Sequence, residues 1–210
     1  MTDNDLLQGT LVRLAARDPE TDAASFARWS SDSEYLRLFG AEPAYPQPVG
    51  AHKKQLERLA ERTDQFTFLI YPLASADAKA VGLVELDGIA WAHGEGWLGI
   101  GLGDRDYWGQ GYGTDATRLI LRFGFTELNL HRISLTVFDY NARAIQVYKK
   151  LGFVEEGRAR EFLQRDGRRW DMVFMGLLRS EWVAGVSSQP LAAFETEWRE
   201  RAIDQRGSEG

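Results

Sequence analysis

Residues 97–125 read WLGIGLGDRDYWGQGYGTDATRLILRFGF, and this order predicts a strand, a glycine-rich loop and an amphipathic helix. The predicted strand covers Trp97–Gly103, where glycines indicate that another group approaches the backbone closely. The predicted helix covers Thr114–Phe125, and its apolar residues share one helical face: Ala116, Leu119, Ile120 and Phe123. The loop between them therefore places backbone amides at a helix N-terminus, where phosphate groups bind.

The loop has glycine at three positions within five residues, Gly109, Gly111 and Gly113. Such a main chain can curl around a pyrophosphate without obstruction by side chains. The same residues are also typical of a flexible turn that ends in a glycine helix cap. A Walker loop is excluded because no Lys-Ser or Lys-Thr pair follows, and a dinucleotide fingerprint is disfavoured because it normally opens the first βαβ unit of a domain.

Outward from this stretch, the periodicity of apolar residues predicts further strands and helices. A strand at residues 9–14 precedes a helix that begins at Asp18-Pro19, and two more helices follow before residue 63. Gln65–Leu73 and Lys79–Asp87 form a predicted hairpin. Downstream lie a strand at 133–138, a helix at 141–150 and strands at 153–154 and 171–178. One βαβαβ core within an α+β order favours a mixed sheet covered by helices.

Composition restricts the class of protein further. The 210 residues are 44% hydrophobic and 27% charged, which predicts one folded domain with a sizeable core. The chain has no cysteine, so disulfide scaffolds, thiolate zinc sites and thiol nucleophiles are excluded. A net charge of −6 provides no overall basic field for a nucleic acid.

The remaining patterns exclude a metal site and a membrane span at the level of sequence. His52, His93 and His131 are widely separated and have no metal-ligand spacing. No apolar run approaches the roughly 18 residues of a membrane helix, and the acidic start of the chain is unlike a signal peptide. We therefore expect a cytoplasmic protein that has no metal, nucleic-acid or membrane partner.

Three segments in this order resemble the GNAT acetyltransferase superfamily, and within it the branch that includes the ribosomal-protein N-terminal acetyltransferases. Residues 100–116 are similar to the family's fourth strand, acyl-CoA pyrophosphate loop and following helix, residues 128–133 to the entry of the next strand, and residues 141–157 to its Asn-to-Gly-Phe segment. The resemblance implies an α+β fold with a mixed, mostly antiparallel central sheet flanked by helices, in which the fourth strand is bulged and splays from the fifth.

The resemblance also implies a domain division. It runs from about Thr10 to Arg179, so we expect a GNAT domain at residues 1–180 and a C-terminal helical extension with a flexible tail at residues 181–210. Residues 191–201 place Leu191, Phe194 and Trp198 on one helical side. An aromatic face of this kind packs on its own domain or on a twin subunit, so a homodimer is a possible assembly.

The family's cosubstrate is acetyl-CoA, and its contacts transfer to matching positions of this chain. The resemblance implies main-chain contacts from the pyrophosphate loop and from the preceding strand, at Ile100, Leu102, Trp108, Gly109, Gln110, Gly111, Tyr112, Gly113 and Thr114. Trp108 departs from the glutamine or arginine that is usual there. Asn141 matches a residue that meets the pantetheine arm, and asparagine is equally a preferred helix N-cap.

Acetyl transfer to an amine needs a neutral nucleophile, a polarised thioester carbonyl and a proton for the departing thiolate. Tyr148 occupies the family's tyrosine position and is the predicted general acid, although it also belongs to an apolar helical face. Many relatives carry a glutamate where this chain has Trp97, so the candidate bases are Glu85 and Glu95, each acting through water. At pH 7 the neutral fraction of an α-amine is roughly one tenth, whereas that of a lysine amine is only about four parts in ten thousand. An enzyme with a weak base is therefore expected to favour acceptor amines of low pKa.

The acceptor side is the least defined part of the predicted site. Trp29, Tyr35 and Tyr45 either shape this pocket or belong to the core, and residues 158–171 either line it or form a solvated charged hairpin. The resulting hypothesis is an acetyl-CoA-dependent N-acetyltransferase acting on a primary amine, either a peptide or protein N-terminus or a small molecule. The alternative is a non-catalytic acyl-CoA-binding or protein-interaction module of the same fold, and a nicotinamide-binding domain is a remote third possibility.

Overall fold

The computed structural model describes residues 5–74 and 79–186, which form one mixed sheet covered by helices. The strands of this part of the chain are β1 (Val12–Ala16), β2 (Phe66–Pro72), β3 (Gly82–Ala90), β4 (Glu95–Leu102), β5 (Arg132–Phe138), β6 (Val154–Arg165) and β7 (Arg168–Leu178). Their order across the sheet is β1-β2-β3-β4-β5-β7-β6, and only β4 and β5 are parallel neighbours. The predicted α+β fold with a mostly antiparallel sheet is confirmed.

Helices cover both faces of the sheet. They are α1 (Pro19–Ser30), α2 (Ser33–Phe39), α3 (Val49–Ala60), α4 (Tyr112–Thr126), α5 (Ala142–Lys150) and α6 (Arg179–Val186), and a short 3₁₀ turn lies at Arg105–Tyr107. Side chains of α4 and α5 pack with Val84 in the larger core cluster, whereas Trp29 and Tyr35 of α1 and α2 pack with Leu83 in a smaller one. Because successive strand residues point to opposite faces, the two helix groups lie on opposite sides of the sheet.

Local sequence signals set several of these boundaries. Asp18 caps α1 by accepting a hydrogen bond from the Glu20 amide at 2.9 Å, with Pro19 at the first helical position, as predicted. Asp32 caps α2 in the same way, through the amides of Glu34 and Tyr35. These caps separate α1 from α2 and direct α2 toward the end of β4.

The β6–β7 hairpin is longer than the short strands predicted at 153–154 and 171–178. It extends through the charged residues 158–171 and turns at Asp166 and Gly167, both of which have positive φ. β6 is an edge strand with largely exposed side chains, so its pairing does not need the apolar alternation that identifies a half-buried strand.

The parallel contact between β4 and β5 is short. Only Glu95, Gly96 and Trp97 of β4 pair with β5, and the two strands diverge beyond this point. The predicted splay is thus present. The implied bulge lies elsewhere, since the irregularity in the β3–β4 pairing falls between Asp87 and Ala90, whereas residues 97–102 of β4 keep a regular register with β3.

At the C-terminal end, α6 packs on the domain through Trp182, whose ring centroid lies 5.2 Å from that of Phe125. The expected boundary at residue 180 therefore falls inside a helix, and the predicted helix at residues 191–201 lies outside the described residues. Among the described residues, no helix has the length and apolarity that a bilayer crossing requires, and no cluster of His, Asp or Glu has the arrangement of a metal site.

Candidate active site

The divergence of β4 and β5 opens a cavity of about 600 Å³. Its walls come from β3, β4, β5, α2, α5, the start of α4 and the loop before α4. Ten of the twelve predicted site residues line it: Glu85, Ile100, Leu102, Trp108, Gly109, Gly111, Gly113, Thr114, Asn141 and Tyr148. The other two, Gln110 and Tyr112, do not: the Gln110 side chain donates to the Asp106 carbonyl, and the Tyr112 ring packs on Tyr107.

The loop before α4 has the conformation that its glycines permit. Gly109 and Gly111 adopt φ values of 75° and 92°, a region that residues with a side chain rarely enter. The amides from Gly109 to Thr114 donate to no other residue within 5–74 and 79–186, and Gly111 caps the helix without a side-chain hydrogen bond. Consecutive free donors at a helix N-terminus form a binding site for an anion such as a phosphate.

On β4, alternate amides point into the cavity. The Gly103 amide, just after β4, donates to the Val81 carbonyl just before β3, whereas the Leu102 carbonyl points the other way and accepts from Trp108 Nε1 at 2.7 Å. Because donors alternate in direction along a strand, the amides of Ile100 and Leu102 face the cleft. This orientation supports the two backbone contacts that were predicted for β4.

Asn141 has a structural role at the start of α5. Its side-chain oxygen accepts a hydrogen bond from the Ala144 amide at 3.2 Å, which caps the helix. The same residue lines the cavity, so the amide nitrogen of its side chain remains available to a ligand. Both alternatives considered for Asn141 are therefore compatible with its position.

Glu85 lies on β3, opposite Gly99 of β4 and Thr67 of β2. Its Oε2 accepts hydrogen bonds from Gln65 Nε2 at 2.8 Å and from Thr67 Oγ1 at 2.9 Å. Its Oε1 lies on the side of Gly99, where an added Cβ would come within 3.0 Å of it. Burial raises the pKa of Glu85 above the ordinary glutamate value, and the two hydrogen bonds and the charge of Arg17 offset part of this shift.

This raised pKa predicts a pH-dependent difference in stability between the wild type and Glu85→Gln. A carboxyl group whose pKa is raised in the folded state stabilises the fold below its unfolded pKa of about 4.3 and loses this contribution as pH rises through the folded pKa. We expect the melting temperature of the wild type to fall relative to that of Glu85→Gln between about pH 4 and pH 8. A constant difference across this range, measured by calorimetry, would contradict the environment described for Glu85.

Helix α2 contributes two aromatic rings to the wall of the cavity. Tyr35, Leu38 and Phe39 of α2 line the cavity beside Glu85. Gly101 allows this approach, because a Cβ there would lie 2.7 Å from the Phe39 ring. Of the three aromatics considered, Tyr35 belongs to this wall, whereas Trp29 is buried in the core and Tyr45 is exposed outside the lining. Leu38 and Phe39 were not predicted, although the glycines at 99 and 101 signalled a close approach.

Tyr148 reaches the cavity from α5. Its ring packs edge-on against Phe153, with centroids 5.9 Å apart, and its hydroxyl makes no hydrogen bond to any residue of the described ranges. Burial raises the pKa of Tyr148 to about 12, so the phenol stays protonated at neutral pH. The ring of Tyr148 thus packs as predicted, and its protonated hydroxyl belongs to a side chain that lines the cavity.

Glu95 and Trp97 lie apart from this arrangement. Glu95 accepts a hydrogen bond from Ser134 at 3.0 Å and forms an ion pair with Arg132, and it does not line the cavity. Trp97 is 39% exposed and makes no wall of the cavity. Of the two candidate carboxylates, the fold therefore brings Glu85, and not Glu95, to the cleft.

The chain is similar in sequence to known acetyltransferases. Residues 13–154 match the family model described as acetyltransferase (GNAT) domain. The spermidine N(1)-acetyltransferase of Escherichia coli strain K12 is 32% identical over 156 residues, which cover 73% of this chain and 79% of that protein. The Bacillus subtilis protein YdaF, whose name assigns ribosomal N-acetyltransferase activity provisionally, is 29% identical over 106 residues, 50% of this chain and 57% of its own length.

A solved structure shares the fold over most of the chain. The spermidine N-acetyltransferase from Vibrio cholerae, determined in complex with CoA and spermine, superposes with a TM-score of 0.74 at 25% identity. The alignment covers 82% of this chain and 98% of that protein.

Proposed function

Because this chain belongs to the acetyltransferase (GNAT) family and is an N-acetyltransferase with acetyl-CoA as its cosubstrate, we propose that the cleft between β4 and β5 catalyses direct attack of a primary amine on the thioester. The observation that carries this proposal is the single cavity that joins the free loop amides, the inward amides of β4 and the carboxylate of Glu85. Its loop side suits the diphosphate, and its α2 side suits the acceptor.

Acetyl-CoA supplies an activated acetyl group whose carbonyl oxygen gains negative charge as the amine attacks. In the proposed arrangement the loop amides from Gly109 to Thr114 hold the diphosphate, and Asn141 contacts the pantetheine arm. The Ile100 or Leu102 amide donates a hydrogen bond to the thioester oxygen and stabilises its charge where water is excluded.

Glu85 is the proposed general base. It accepts a proton from the attacking nitrogen, either directly through Oε1 or through one water molecule. Its raised pKa suits this task, because a carboxylate with a pKa nearer to neutrality is a stronger base. A carboxylate inside the cavity also lowers the need for an acceptor with a low pKa, so polyamines and peptide N-termini are both chemically admissible.

Tyr148 is the proposed general acid. As the carbon–sulfur bond breaks, its hydroxyl gives a proton to the thiolate, whose pKa of roughly 8.5 lies well below that of the phenol. The transfer is therefore uphill in isolation. As the products leave, Glu85 gives its proton to water and the phenolate takes one from water, which restores both groups.

Tyr148→Phe is expected to lower kcat by about 100-fold, since positioned proton transfer contributes 10² to 10⁴. The affinity for acetyl-CoA and the melting temperature should change little, because the hydroxyl has no partner in the described fold. Tyr107→Phe, outside the cavity, is the matched control. If the Tyr148→Phe variant kept the wild-type kcat, Tyr148 would have a packing role only.

The test of the whole proposal is the release of free CoA from acetyl-CoA with a panel of amines. Spermidine is one arm, because the E. coli and V. cholerae relatives carry that activity in their names. Peptides with free N-termini form a second arm, motivated by YdaF. Release above the amine-free rate in either arm supports acetyl transfer to a primary amine, and binding of acetyl-CoA without turnover in any arm supports a non-catalytic module.

A further inference from the structure

Three polar side chains form a closed network of hydrogen bonds around the carboxylate of Glu85. Its Oε2 accepts from Gln65 Nε2 at 2.8 Å and from Thr67 Oγ1 at 2.9 Å. Gln65 Nε2 also donates to Thr67 Oγ1 at 3.1 Å. Because strand register places Thr67 of β2 directly opposite Glu85 of β3, backbone pairing holds this Gln65–Thr67–Glu85 network in place.

Each donor of the network has a defined direction. The side-chain nitrogen of Gln65 carries two hydrogens, and its two hydrogen bonds use both of them. The hydroxyl of Thr67 carries one hydrogen, which is directed to Glu85 because the oxygen itself accepts from Gln65. A carboxylate oxygen has two lone-pair positions, so both positions of Oε2 are occupied.

The other carboxylate oxygen of Glu85, Oε1, accepts no hydrogen bond from any residue within 5–74 and 79–186. Glu85 lines the cavity, and the residue opposite it on β4 is Gly99. A Cβ at Gly99 would come within 3.0 Å of Oε1, so the glycine leaves this oxygen room. A proton that reaches Glu85 from the cavity therefore finds Oε1 as its open acceptor.

The charged and titratable groups around Glu85 act on it from a distance. The charge of Asp87, on the same strand, raises the pKa of Glu85, and that of Arg17, directly after β1, lowers it. Tyr35 of α2 lines the same cavity, and burial and the charge of Glu85 raise the pKa of its phenol. The residues paired with Glu85 on β2 and β4 carry no charge. Burial has the largest effect on the pKa of Glu85, and the two hydrogen bonds oppose it more strongly than Arg17 does.

We propose that Gln65 and Thr67 are positioning residues of the base: by occupying Oε2, they leave Oε1 of Glu85 as the atom that takes the proton of the attacking amine. This inference rests on the proposed function, in which Glu85 is the base. As the N–H bond breaks, its electron pair stays on nitrogen and the new O–H bond forms at Oε1. No hydrogen bond of the network breaks in this step, so the carboxylate keeps one orientation.

The first experiment compares the pH profile of kcat/KM in the wild type, Thr67→Val, Thr67→Ser and Thr126→Val. Thr67→Val removes a donor to the ionised carboxylate, so the pKa of Glu85 should rise and the acidic limb should move up by about half to one pH unit. Thr67→Ser keeps the hydroxyl and should restore the wild-type limb. Thr126 is the matched control, because its hydroxyl donates to the Arg122 carbonyl of its own helix, outside the cavity.

The second experiment removes both donors, in Gln65→Met/Thr67→Val. We expect kcat to fall about 10-fold, because the carboxylate is then free to rotate, while KM for acetyl-CoA stays unchanged. The same two substitutions in a Glu85→Gln background should lower kcat less than 2-fold, since residues that act through Glu85 have no effect without it. Melting temperatures confirm that each variant is folded.

An acidic limb that stays in place in Thr67→Val, or an equal loss of kcat in both backgrounds, overturns the positioning role. The pKa of Glu85 is also measured without turnover, by NMR titration of its carboxyl carbon, which is assigned by its disappearance in Glu85→Gln. Failure of the wild type to release CoA with any amine would instead overturn the proposed function. In that case a raised carboxyl pKa in Thr67→Val still supports the role of the network, and an unchanged one refutes it.

Discussion

Gly111→Val is expected to lower the affinity for acetyl-CoA at least 100-fold while the chain remains folded. Gly111 has a φ of 92°, and a Cβ there would lie 3.2 Å from Leu11 Cδ1. A left-handed conformation costs a residue with a side chain about 1–2 kcal/mol, and more when it is β-branched. Valine would therefore pull the loop out of its curl and turn its amides away from the diphosphate.

The expected size follows from the hydrogen bonds at stake. A hydrogen bond to a charged group contributes about 1.5–3 kcal/mol, so the loss of two is worth at least two orders of magnitude in affinity. Calorimetry with acetyl-CoA measures the loss, and circular dichroism checks the fold. Gly157→Val is the matched control, because that strand glycine has an ordinary φ and open space around it. Wild-type affinity in folded Gly111→Val would refute the assignment of the loop.

Glu85→Gln should lower kcat by about 100- to 10,000-fold at neutral pH. The amide oxygen can still accept the hydrogen bonds of Gln65 and Thr67, so the substitution removes the base and keeps the packing. The affinity for acetyl-CoA should remain unchanged, because Glu85 lies on the α2 side of the cavity. Glu95→Gln alters a carboxylate of the same sheet outside the cavity and is expected to retain activity.

The pH profile separates a base from a structural carboxylate. Activity requires ionised Glu85, so kcat/KM should fall as pH drops through its pKa, and burial places this acidic limb above the ordinary glutamate range. The limb should vanish in Glu85→Gln and persist in Glu95→Gln. A Glu85→Gln variant with full activity and an unaltered acidic limb would exclude Glu85 as the base.

Patterns of neighbouring residues were sufficient to predict much of the cavity wall formed by the glycine-rich loop, α4 and α5. The glycines of residues 109–113, the apolar face of α4 and the cap at Asn141 are each a local backbone requirement, which a short window of sequence expresses directly. The length of the β6–β7 hairpin was underestimated because its charged edge strand is held by backbone pairing with β7. Such pairing requires no periodic pattern of exposed side chains, so a short window of sequence does not reveal it.

By itself, the sequence thus determined the α+β fold, the position of the glycine-rich loop and the lack of a cysteine side chain as a nucleophile, because each depends on residue type and spacing along the chain. Only the tertiary structure decided that Glu85 rather than Glu95 reaches the cleft, that Phe39 of α2 forms its wall and that Arg143 stacks on Trp108. These contacts join residues far apart in the chain. They depend on strand register and on the divergence of β4 from β5, which the packing of the whole sheet sets.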